Sequence, residues 1–131
     1  MSDQSAACRV LVADDDEAER TVLADVLRQE GFDVVLAKDG LEALMALEDS
    51  APPGLVLLDL MMPRMSGWQV LQAMERTARL ADIPVIVLTA FDAGVGLPAG
   101  CRILHKPLER EVLLAEARAL TRPRDGRVLA T

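Results

Sequence analysis

Residues 55–67 read LVLLDLMMPRMSG, and the fold follows from how that stretch is parsed. Leu55, Val56, Leu57 and Leu58 are an unbroken apolar run, the pattern of a strand buried on both faces of a parallel sheet. The run stops at Asp59, an ionisable side chain where burial should continue. Pro63 and Gly67 then take the chain through a loop into a helix beginning near Trp68. In open α/β sheets ligands bind at the rim formed by the C-terminal strand ends, which is where Asp59 falls.

Working outward, residues 9–13 (RVLVA) are a second short apolar strand, followed at once by Asp14, Asp15 and Asp16. A helix over 17–30 carries Val22, Leu23, Val26 and Leu27 as its apolar stripe, with Asp16 as N-cap, Glu19 as the N3 acid and Gly31 as the stop. Residues 32–37 are a strand, and Lys38, Asp39 and Gly40 turn into a helix over 41–49 whose Leu44, Met45 and Leu47 face the sheet. The helix over 68–79 places Trp68, Leu71, Met74 and Ala78 at helical spacing, and 84–88 (PVIVL) is a strand ending at Thr89. Residues 91–102 hold three glycines and a proline where a further helix is due. Each Gly costs a helix interior roughly 1 kcal/mol and a Pro about 3, so that fourth helix is expected to be short or missing. A strand over 103–105, the turn at Lys106 and Pro107, and a helix over 108–120 complete the alternation.

Five strands alternating with helices imply a flavodoxin-like, doubly wound parallel α/β sheet of order 2-1-3-4-5, with right-handed crossovers. The expected organisation is a leader at 1–8, one domain at 9–120 and a basic tail at 121–131, with no output domain. At 131 residues a single core is expected. A net charge of −7 opposes binding to nucleic acid or to anionic lipid, and no apolar run approaches the ~20 residues of a membrane span. Cys8 and Cys101 have no metal-ligand spacing, and the N-terminus lacks a signal-peptide pattern, so a reduced, cytoplasmic setting is expected.

That topology gathers Asp14 and Asp15, Asp59, Thr89 and Lys106 at one rim. Two carboxylates ~4 Å apart repel by about 4 kcal/mol at an effective dielectric near 20, so three together require a compensating charge. With only oxygen ligands to hand, the hard cation Mg²⁺ suits the cluster best. Lys106 adds a point charge suited to phosphate, Thr89 a hydroxyl, and Asp59 a carboxylate able to carry a phosphoryl group.

DDD at 14–16, DLMMPRMSG at 59–67, LTA at 88–90 and HKP at 105–107 together resemble the receiver domain of two-component response regulators. The resemblance implies that Asp59 is phosphorylated by a sensor histidine kinase or a histidine phosphotransfer protein and then switches a downstream protein target. It implies Mg²⁺ held by Asp14, Asp15, Asp59 and the Met61 backbone carbonyl, Thr89 as the switch hydroxyl, Lys106 as the phosphate's ion-pair partner, and a cis peptide before Pro107. The chain would catalyse its own phosphorylation and dephosphorylation without being an enzyme in the usual sense. Three departures stand out: Ile103 where the family usually has a switch aromatic, the spacing of seventeen positions from Thr89 to Lys106, and the expectation of no output domain after the last helix. Apolar Met61 and Phe91 further imply a long-lived phosphorylated state, because neither can orient a hydrolytic water.

Competing readings are weaker. A haloacid dehalogenase type phosphatase wants a second acid where Met61 stands, and a flavodoxin-like cofactor binder wants a phosphate loop after the first strand. A degenerate receiver would lack an acid or the lysine. His105 is best read as a solvated or packed strand histidine, the methionines as loop packing, and Arg118, Arg122, Arg124 and Arg127 as helix-end and tail charges.

Overall fold

β1 (Arg9–Ala13), β2 (Asp33–Ala37), β3 (Leu55–Asp59), β4 (Val85–Thr89) and β5 (Arg102–His105) alternate with α1 (Glu17–Gln29), α2 (Gly40–Leu47), α3 (Gly67–Glu75) and α4 (Arg110–Thr121). The computed structural model describes residues 8–49, 51–90, 97 and 101–121. All strand pairs are parallel, in the order β2-β1-β3-β4-β5. The expected sheet is therefore the observed one.

Strand parity divides the core into two layers. Leu11, Ala13, Val56, Leu58 and Val87 pack against Ala43 and Leu47 of α2 and Val70, Leu71 and Met74 of α3. Val10, Val12, Leu55, Leu57, Ile86 and Leu88 pack on the other face against Leu23, Ala24 and Leu27 of α1 and Leu113, Leu114 and Ala117 of α4. Every residue of β3 is buried, as a central parallel strand requires, and each such leucine contributes roughly 1.5–3 kcal/mol of transfer free energy.

Side-chain caps set the helix starts. Asp16 accepts from the Glu19 N–H, Asp39 from the Glu42 N–H and Ser66 from the Gln69 N–H. Gly31, at φ +93°, stops α1 in the left-handed region that favours glycine. Three expectations need correcting. Val22 and Met45 are 60% and 70% exposed, because Ala24 and Ala43, small residues that let a helix approach the sheet, complete the buried stripes instead. α3 ends at Glu75 rather than running on to 79, and Ala78 is exposed. Beyond Glu75 the Thr77 hydroxyl donates to the Ala73 carbonyl, and turns at Thr77 and Leu80 return Leu80 to the core. The glycine-rich segment at 91–100, where the short or missing helix was expected, lies outside the described residues apart from Leu97, as do residues 1–7 of the leader and 122–131 of the tail.

Candidate functional site

β1 and β3 lie side by side, with Ala13 in register with Leu58, so the residues that follow them meet at one edge of the sheet. Asp14 and Asp59 are buried there and Asp15 is exposed. One carboxylate oxygen from each lies within 4.8 Å of the others, a disposition that can hold a metal ion. Asp14 Oδ1 accepts the Asp16 N–H at 2.9 Å, and Asp59 Oδ1 accepts the Met61 N–H at 3.1 Å. Gly67 permits that geometry: a Cβ there would come within 2.5 Å of the Asp59 carbonyl oxygen.

From the far side comes Lys106. Its N–H donates to the Thr89 carbonyl at 2.7 Å, and its ammonium lies 3.2 Å from Asp59 Oδ2, 3.5 Å from Asp14 Oδ2 and 2.5 Å from Glu19 Oε1. The Lys106–Pro107 peptide is cis. Thr89 is buried at the end of β4, in register with His105, which is exposed. Met61 stands 59% exposed two residues beyond Asp59. Asp14, Asp15, Asp59, Thr89 and Lys106 thus share one rim, as expected.

Glu19 is the member that sequence reasoning placed elsewhere, as the N3 acid of a helix cap. Glu19 lies in the first turn of α1, directly after the strand-end acids, and only the arrival of Lys106 from β5 shows its part in the site. Arg64 is a second omission. In the left-handed region at φ 68°, it donates to Asp39 Oδ2 from Nε at 3.0 Å and Nη2 at 2.8 Å, fastening the β3–α3 loop to the start of α2.

The charges do not balance. Three carboxylates, Asp14, Glu19 and Asp59, share one ammonium, Asp15 adds a further negative charge beside them, and Asp14 has no exposure to water. Burial, opposed in part by the Asp16 N–H, pushes the Asp14 carboxyl up to about 7. The Lys106 hydrogen bond holds Glu19 below the usual carboxylate range. Burial disfavours the charged form of Lys106, but Glu19, Asp59 and Asp14 outweigh it and hold the ammonium above the ordinary lysine range. The donor set is all oxygen, with excess negative charge, so it fits a hard divalent cation.

Residues 10–118 match the family model of the response regulator receiver domain. The chain belongs to that family. It is 44% identical over 126 residues to the response regulator MprA of Mycobacterium bovis and 40% identical over 122 residues to the DNA-binding dual master transcriptional regulator RpaA of Synechocystis. These alignments take in 90% and 89% of the chain but 54% and 50% of those proteins, so it spans about half the length of these curated relatives. Among solved structures it is similar to the receiver domain of the sensor histidine kinase PA1611 of Pseudomonas aeruginosa, which carries a magnesium ion coordinated in its active site cleft. The two are 26% identical with a TM-score of 0.81, over 88% of this chain and 98% of that one. Beside the rim of this receiver domain lies a groove of about 310 Å³ lined by Ala18, Glu19, Val22, Leu23, Lys106 and Leu108. No helix among the described residues is long and apolar enough to cross a membrane.

Proposed function

We propose that this receiver domain is an Mg²⁺-dependent phosphoacceptor switch, with Asp59 taking a phosphoryl group from a phosphohistidine on a sensor histidine kinase or phosphotransfer protein. The observation that carries the reading is the placement of Asp59: a buried carboxylate, 3.2 Å from the Lys106 ammonium, with Asp14 and Asp15 oxygens within 4.8 Å. The magnesium in the PA1611 receiver domain supports the choice of ion. Asp14, Asp15, Asp59 and the Met61 carbonyl would hold it, and when bound it supplies charge neutralisation between the acids and the phosphoryl oxygens.

One Asp59 oxygen forms the bond to phosphorus as the phosphorus–nitrogen bond of the donor breaks, and the departing imidazole takes up a proton. Lys106 stabilises the negative charge on the transferred oxygens, and Thr89 offers its hydroxyl to them afterwards. The groove beside Lys106, with Val22 exposed on its wall, gives the donor protein an apolar foothold next to the site. The reaction modifies the chain's own side chain, so the domain is a switch rather than an enzyme with a diffusible product. It acts in the cytoplasm on a downstream protein target, and its charge of −7 disfavours direct contact with nucleic acid.

Intact mass after incubation with acetyl phosphate and Mg²⁺ is the test. The parent chain gains one phosphoryl group and Asp59→Asn gains none; no gain, or an equal gain in both, overturns the assignment. Following the same signal after donor removal tests persistence. Exposed, apolar Met61 predicts slow decay, and rapid loss would contradict a long-lived state.

A further inference from the structure

Glu19 occupies the third position of α1, where an acid ordinarily turns back to accept the N-cap residue's backbone N–H. α3 shows that arrangement: Gln69, at the same position, accepts the Ser66 N–H at 2.9 Å. In α1 the Asp16 N–H is already taken by Asp14 Oδ1, and Glu19 reaches instead to Lys106. Its 2.5 Å contact is the shortest of the three that Lys106 Nζ makes with carboxylates, against 3.2 Å to Asp59 and 3.5 Å to Asp14.

The position of the ammonium matters because it and a divalent cation seek the same field. An ammonium centred between Asp14 and Asp59 would neutralise the carboxylates that a metal must use and would repel the ion. Drawn toward Glu19, it leaves more of that negative charge uncompensated. We propose that Glu19 is a positioning residue that draws the Lys106 ammonium off-centre, toward the Glu19 side of its contacts with Asp14 and Asp59, and so leaves the acidic cluster more open to a divalent cation. Glu19 is also suited to let go. Its side chain is 43% exposed against 0% for Asp14 and 9% for Asp59, so water can solvate it when Lys106 turns to a phosphoryl oxygen. This inference rests on the phosphoacceptor reading.

A double-mutant cycle on the full chain separates action through Lys106 from a general effect of negative charge. Titration calorimetry with MgCl₂ on the parent, E19Q, K106M and E19Q/K106M gives the four affinities. E19Q weakens Mg²⁺ binding by roughly threefold to tenfold in the parent and by less than about twofold in K106M. An equal loss in both backgrounds, or no loss in either, overturns the proposal. A second readout needs neither metal nor the double variant: the ¹⁵N signal of the Lys106 ammonium, assigned by its disappearance in K106M, shifts in metal-free E19Q. An unmoved signal overturns the proposal even where Mg²⁺ binds. A parent that binds no Mg²⁺ or takes up no phosphoryl group brings down the phosphoacceptor reading and this inference with it, whereas intact uptake without coupling removes Glu19's role alone.

Discussion

Two buried acids at the C-terminal edge of the sheet differ in one respect. Asp39, following β2, is satisfied: it caps α2 through the Glu42 N–H and takes two hydrogen bonds from Arg64. Asp14, following β1, shares one ammonium with Asp59 and Glu19. The two carboxyls are pushed in opposite directions, Asp39 below its ordinary range chiefly by the Glu42 N–H and Asp14 up to about 7 chiefly by burial. A charge that is matched locally supports the structure, whereas unmatched charge is a demand that something else must meet.

The largest expected effect lies in the pH dependence of stability. Asp14 holds its proton more tightly folded than unfolded, so its contribution favours folding below pH 4 and is lost as pH rises through about 7. In metal-free urea titrations the parent should lose stability relative to Asp14→Asn between about pH 4 and pH 7, by no more than about 4 kcal/mol. A flat difference would mean that Asp14 is better compensated than its surroundings imply.

Gly40→Ala tests the matched region at its tightest point. A Cβ there would lie 2.0 Å from the Met65 carbonyl oxygen, so α2 must shift away from the β3–α3 loop. The expected cost is about 1–3 kcal/mol in thermal or urea unfolding. An unchanged midpoint would show that loop and helix are not held together.

Asp39→Asn is the smaller test. Asn retains the cap acceptor but not the charge facing Arg64, so Tm should fall by roughly 5 °C at neutral pH. Asp39's pKa is lowered on folding, so its stabilisation is lost as pH falls below the carboxylate range, and the two proteins should converge there. A variant more stable than the parent at pH 7 would erase the contrast with Asp14.

Much of this was legible along the chain because parallel strands announce themselves as apolar runs and because each site residue stands just past one of them. Asp59 after LVLL and Asp14 after RVLVA are anomalies in hydropathy, visible without a fold. What escaped were relations rather than residues. Arg64 and Asp39 are 25 positions apart, and nothing in either local pattern pairs them. Glu19 reads correctly as a first-turn acid, yet its partner arrives 87 positions later. The misjudged stripes, Val22 and Met45, came from weighting large apolar side chains when the close packing of α1 and α2 uses alanine.

Asp59 ends a strand with no exposed residue, whereas Lys106 follows β5, four residues at the margin of the sheet, none of them fully buried. The Asp59 carboxylate is therefore set in bedrock and the Lys106 ammonium on a verge. On the proposed phosphoacceptor reading, the firmly seated member of the pair is the one that would be modified, and its counter-charge stands at the margin.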